Sequence, residues 1–214
     1  MNAGCRPTTL ISMPDARTVS SPANRRIRWV FLDRDGTLNV KPPDGEYIER
    51  PAALELLPSA AAAMRMLNRA GLWTGVVTNQ RGVALGRMSV ADVDAVHERL
   101  RHLLSLQGAH VDAIYACPHQ ADDCVCRKPS PGLLLKAQSE YPALDFASAA
   151  IVGDSLSDMQ AGGHLGLMRV LISSGGEKDR TAVRVADHVV PDLLQAARLL
   201  VNRGRAGTGT RSAP

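Results

Sequence analysis

The chain has 214 residues, enough for one domain with a substantial core and too few for two comfortable ones, and 45% of them are hydrophobic. No apolar run approaches the roughly 18 residues needed to span a bilayer, and the N-terminus lacks the apolar stretch of a signal peptide, so a cytoplasmic protein is expected. The formal charge of +4 sits at the ends, +4 in residues 1–28 and +3 in 203–214, which leaves −3 for 29–202 and argues against a nucleic-acid-binding body.

The ends, 1–26 and 203–214, are rich in Pro, Ser, Thr, Gly and Ala and are expected to be disordered, flanking one domain over 27–202. Short apolar runs predict buried strands at Ile27–Leu32, Trp73–Thr78, Val111–Ala116, Ala149–Gly153, Met168–Ile172 and His188–Val190. Between them the pattern is helical. Pro58 starts a helix over Ala60–Ala70 that Gly71 stops. Ser89 caps Val90–Leu106, where Val93, Val96, Leu100 and Leu103 make one apolar stripe. Further helices start at Ser130-Pro131, running through Ser139, and at Ser155, and the last covers Asp192–Val201. Alternating strands and helices predict an α/β fold, a doubly wound Rossmann-like parallel sheet whose site lies at the carboxyl ends of the strands. No insertion is long enough for a cap domain, so that site should be open.

Four strand ends or their neighbours carry chemistry. Asp33 and Asp35, in Asp33-Arg34-Asp35-Gly36-Thr37, place two carboxylates at the exit of the first strand, with Gly36 permitting the turn between them. Such a pair can attack phosphorus and shuttle the proton of a leaving alkoxide, although it can also cap a helix or hold a structural cation. Thr78-Asn79-Gln80-Arg81 can bind phosphate oxygens through a hydroxyl and backbone amides. The Arg127-Lys128 pair can neutralise an equatorial phosphate oxygen, or lie solvated on the surface. Asp154 adds a carboxylate suited to Mg²⁺, while Asp158 stands where an acid favours a helix N-terminus. Before the basic pair, Cys117, His119, Cys124 and Cys126 fall within ten residues and predict a closed structural Zn²⁺ site; Cys5 lies apart. The spacing lacks the second half of a finger, which counts against a zinc-loop nucleic-acid-binding protein, the non-enzyme alternative.

The segments FLDRDGTLN, VVTNQRGV, CRKPSPG and IVGDSLSDMQAG resemble, in order, the four motifs of the haloacid dehalogenase superfamily, across about residues 27–175. The resemblance implies a Mg²⁺-dependent phosphatase with Asp33 as nucleophile, Asp35 as proton donor and later base, and Thr78 and Lys128 steadying the phosphoryl group. It also implies that Asp33, the Asp35 main-chain carbonyl and Asp154 hold Mg²⁺. Because two close carboxylates resist joint ionisation, one of Asp33 and Asp35 is expected to have a raised pKa.

The segment CPHQADDCVCRKP is similar to the zinc loop of the heptose bisphosphate phosphatases and of the related histidinol-phosphate phosphatases, in which the arginine matching Arg127 helps recognise substrate. A substrate with two phosphates calls for spare cations, for which Lys41, Arg81 and Arg127 are candidates; histidinol phosphate calls for acids such as Asp44 and Glu46. The heptose group also implies contacts from Asn39 and Tyr47, while Asn79 and Gln80 are substrate-contact candidates through the turn after Thr78. Here Pro42-Pro43 lengthen that loop, Glu46 separates Gly45 from Tyr47, and Arg81 and Ser155 depart from the group's usual residues. The expected activity is removal of the C7 phosphate of D-glycero-D-manno-heptose 1,7-bisphosphate by a monomer, with histidinol phosphate or another small sugar phosphate as the alternative.

Overall fold

Strand-forming runs buried on both faces need helices above and below a parallel sheet, and the chain supplies them. The computed structural model describes residues 26–121, 123–173 and 180–205. Among these, the strands are β1 (Trp29–Leu32), β2 (Trp73–Asn79), β3 (Ala113–Cys117), β4 (Ala149–Gly153), β5 (Met168–Ile172) and β6 (His188–Val190). The helices are α1 (Ala60–Arg69), α2 (Val90–Ser105), α3 (Gly132–Glu140), α4 (Leu156–His164), α5 (Arg180–Val185) and α6 (Leu193–Arg205). All strand pairs are parallel, in the order β3-β2-β1-β4-β5-β6.

That order places a topological switch between β1 and β4, where successive connections leave for opposite sides and open a crevice at the carboxyl edge. Leu32 pairs with Val152 in register, and the Asp33 amide donates to the Val152 carbonyl at 2.9 Å. Asp33 and Asp154 therefore leave neighbouring strands at one level. The core lies on both faces: Val30, Leu32, Val76 and Val152 pack with α1 and α6, while Phe31, Val77 and Ile151 pack with Leu133 and Leu134 of α3. At the opposite edge, Trp29, Phe31, Trp73 and Tyr141 meet in tilted and edge-to-face contacts with ring centroids 4.9–6.0 Å apart, fixing the starts of β1 and β2.

The fold class matches the sequence expectation, with local differences. β1 starts at Trp29 and β3 at Ala113, because Ile27 and Val111 are buried without joining the ladder. The buried stripe of α2 takes in Leu104 and adds His97, while Leu103 is only partly buried. Helix α5 went unpredicted: six residues, two of them arginines, bury only Ala182. Helix α6 runs past residue 202 to Arg205; the expected tails otherwise lie outside the described residues. The β1–α1 connection holds one short 3-10 turn, Pro51–Ala53, and no cap domain is present among the described residues.

Candidate active site and metal sites

Lys128 is the centre of the crevice. It is 4% exposed, and its Nζ donates to Asp33 Oδ1 at 2.8 Å, to Asp158 Oδ1 at 2.6 Å and to the Val77 carbonyl at 2.7 Å. A buried ammonium is costly unless every proton is matched, and here three acceptors match three donors. Burial alone would lower the lysine's pKa, but Asp158 and Asp33 more than offset it and hold it raised. Lys128 is itself placed by a reciprocal pair: the Asn79 amide donates to the Lys128 carbonyl and accepts from its backbone N–H, both at 3.0 Å.

The two first-strand acids sit in opposite electrostatic surroundings. Burial pushes the Asp33 carboxyl up to about 7, opposed by Lys128 and reinforced by Asp158, with Asp35 contributing least. The expected rise thus falls on Asp33, and burial rather than the neighbouring acid drives it. Asp35 lies lower than an ordinary aspartate: burial would raise it, but the Arg34 guanidinium beside it and bonds from Asn39 and Gln80 hold it down. Arg34 donates to both its oxygens, Nε to Oδ1 at 3.2 Å and Nη2 to Oδ2 at 3.0 Å. Asn39 adds 2.9 Å to Oδ1, and Gln80 adds 3.0 Å to Oδ2 while also donating to Thr78 Oγ1 at 2.8 Å.

Gly36 has φ +86°, and a Cβ there would strike the Asp154 carboxylate, so the turn after Asp35 needs glycine for its conformation and for the approach of β4's acid. Gly153 is needed for a similar reason, since a Cβ would meet the Asp158 carboxylate. Asp158 is fully buried and does two jobs: Oδ1 meets Lys128, while Oδ2 accepts from the Ser155 amide at 3.2 Å and hydroxyl at 2.6 Å. Its role at the helix start was legible; its grip on the lysine was not.

Asp33, Asp154 and Asp158 bring carboxylate oxygens within 4.8 Å of one another. Both Asp158 oxygens are engaged, whereas Asp154 Oδ1 is buried without a partner and Oδ2 meets only the half-exposed Lys41 at 2.9 Å. Hard carboxylate oxygens with one open buried atom fit the expected Mg²⁺ set of Asp33, Asp154 and the Asp35 main-chain carbonyl.

The second donor set is soft. Cys117 Sγ lies 3.5 Å from Cys124 Sγ and 3.2 Å from Cys126 Sγ, these two are 3.3 Å apart, and His119 Nδ1 is 3.6 and 3.2 Å from Cys117 and Cys126. These separations are far beyond a disulfide's roughly 2.05 Å and near the edges of a tetrahedron of roughly 2.3 Å zinc–sulfur bonds. Three thiolates this close repel one another unless a cation sits among them, and the set fits Zn²⁺.

A hollow of about 330 Å³ opens over these groups, lined by Asp33, Asp35, Thr78 and Lys128 and rimmed by Lys41 and Tyr47. Asp44, Glu46, Asn79, Gln80, Arg127 and Asp154 also border it. Arg127 Nη1 is buried without a partner. Two expected substrate contacts lie elsewhere. Asn39 is wholly buried and donates to Asp35, and Arg81, which does not border the hollow, donates to Gln120 Oε1 at 2.6 Å, tying the turn after β2 to the cysteine loop.

Residues 125–196 match the HAD-hydrolase-like family model. A Pseudomonas aeruginosa D-glycero-beta-D-manno-heptose-1,7-bisphosphate 7-phosphatase is 39% identical over 68% of this chain and 81% of its own length. The chain belongs to the heptose bisphosphate phosphatase family. A member from Mycobacterium tuberculosis named for the alpha anomer is 40% identical over 62% of this chain and 70% of its own. The crystal structure of the B. bronchiseptica D,D-heptose 1,7-bisphosphate phosphatase with magnesium and phosphate superposes with a TM-score of 0.73, at 32% identity over 82% of this chain and 99% of that one. Arg34 and His97 were not singled out from the sequence. Both are buried, and their contact joins residues 63 positions apart, so no local pattern announces it.

Proposed function

We propose that this protein removes the C7 phosphate of D-glycero-D-manno-heptose 1,7-bisphosphate through an aspartyl-phosphate on Asp33. The observation that carries this reading is the buried triad of Asp33, Lys128 and Asp158 beside Thr78 at the switch point, in a chain of this family. Bound Mg²⁺ would screen the negative charge between phosphate and attacking carboxylate. Lys128 Nζ, already on Asp33, stands where it can also meet an equatorial phosphoryl oxygen, and Thr78 offers a hydroxyl. Asp33 attacks as the carboxylate, the form that Lys128 favours against burial and that a bound Mg²⁺ would favour further. Asp35 lines the hollow, held toward its anionic form by Arg34, Asn39 and Gln80. The arriving phosphate dianion favours its protonation; it then gives that proton to the leaving alkoxide and later takes one from the water that cleaves the aspartyl-phosphate.

The retained phosphate is assigned to the rim cations Arg127, with its open Nη1, and Lys41. Two separate cations suit a bisphosphate better than they suit the imidazole and amine of histidinol phosphate, although Asp44 and Glu46 also border the hollow. No described helix is long and apolar enough to cross a membrane. The enzyme is read as a cytoplasmic monomer, acting on a small phosphorylated sugar without nucleic acid or membrane. Phosphate release by purified protein with Mg²⁺ should be fastest on a heptose 1,7-bisphosphate anomer. A dominant rate on histidinol phosphate would overturn the substrate assignment.

A further inference from the structure

Resting on that phosphatase reading, we propose that His97 is a positioning residue: its Nε2 anchors the buried Arg34 guanidinium, which in turn aims Asp35 at the leaving group. Arg34 is 1% exposed, so its donors must find partners within the protein. Two face Asp35, and Nη1 lies 3.3 Å from His97 Nε2. Neighbouring side chains leave the backbone in different directions, and a fork that grips the adjacent residue is held only if its far side is fixed. His97 fixes it from α2, an element packed independently through Val93, Val96, Leu100 and Leu104.

The chemistry of the contact specifies the ring. A guanidinium can only donate, so Nε2 must carry the lone pair and the neutral imidazole must hold its proton on Nδ1. Burial and the charge of Arg34 keep the ring neutral, down to a pKa of about 3. The chain Asp35–Arg34–His97 thus runs from the hollow into a helix; Asp35 borders the hollow, and neither Arg34 nor His97 does. Asn39 and Gln80 fix Asp35 on its other sides.

The test uses the full chain with Mg²⁺ and any phosphate ester that the unaltered enzyme hydrolyses. His97→Leu keeps apolar packing and removes the acceptor; kcat should fall on the order of tenfold with KM held within about twofold. His97→Gln, whose carbonyl can accept from Arg34, should recover most of that loss. Long-range ¹H–¹⁵N spectra of the unaltered protein should show a neutral His97 protonated on Nδ1. Melting temperatures measured alongside separate the roles, because a purely structural residue would lower them without splitting kcat from KM.

Unchanged kcat in a folded His97→Leu protein, a loss carried by KM, or a proton on Nε2 would each overturn the proposal. Should His97→Leu fail to fold, the Gln variant and the tautomer decide it: a Gln variant as impaired as a leucine should be, or an Nε2–H ring, sinks the anchor. Unaltered protein that hydrolyses no ester defeats the phosphatase reading instead, and the tautomer then tests the anchor alone.

Discussion

Lys128 and Asp33 illustrate how one contact serves stability and chemistry with opposite demands. Inside a folded chain the lysine must be compensated, and Asp33 and Asp158 do so from 2.8 and 2.6 Å. Lys128→Met would leave two buried carboxylates facing an apolar group and should lower unfolding stability by roughly 3–5 kcal/mol, measured by urea denaturation. Asp33→Asn should behave differently, because the amide oxygen can still accept from Lys128 while the nucleophile is gone. Turnover should vanish in a phosphate-release assay, yet the folded protein should still bind substrate by calorimetry. Residual full turnover would remove Asp33 from its assigned role.

Helix α2 shows how a surface element reaches into the site and gives stability a pH dependence. His97 faces Arg34, with Asp35 behind it and Arg101 one turn along its own helix; burial first, then the charge of Arg34, lowers its pKa from 6.5 to about 3, against a weaker pull from Asp35. The sign follows from linkage: between those values the unfolded chain binds a proton that the folded chain refuses, so stability is full above about 6.5 and is lost as pH falls. Relative to His97→Gln, the unaltered protein should lose up to about 1.4 kcal/mol per pH unit across that window, measured by denaturation at several pH values. A constant difference would mean that the ring titrates normally. What the sequence made legible here was periodic: Ser89 as cap, Val93, Val96 and Leu100 as stripe. Asp33, Thr78 and Asp154 were legible for a related reason, since position at a strand end is a local property. His97, Arg34 and the second use of Asp158 were not, because a buried polar residue reads locally as surface or cap and its partner is distant. The Arg81 contact was equally illegible: its charge is visible in the sequence, while its partner Gln120 lies 39 positions away.

At the scale of the molecule, the two donor sets divide the labour of holding the crevice together. The sheet delivers Asp33, Thr78 and Asp154 from strands, but Lys128 arrives on the β3–α3 connection, a stretch with little core of its own. That connection is folded back on itself at Cys117, His119, Cys124 and Cys126, and Arg127 and Lys128 follow the last ligand directly. It is also pressed against α3, where a Cβ on Gly132 would strike the Val125 carbonyl, and it touches the turn after β2 through Arg81 and Gln120. Zinc loss should therefore release the cations rather than unfold the sheet. Stripping zinc with a strong thiol-competing chelator, then restoring Mg²⁺ in excess, should leave activity depressed on the order of 10²-fold, the loss expected from misplacing a catalytic group by about an ångström. Far-ultraviolet circular dichroism should barely change, because the six strands pair without the loop. Adding zinc under reducing conditions should restore the rate, and metal analysis should find one zinc per chain. Chelation that removes only Mg²⁺ should instead be fully reversed by Mg²⁺ alone. If Mg²⁺ alone also rescues the zinc-stripped protein, the loop holds its cations through Asn79 and chain packing, and the metal is dispensable to the site.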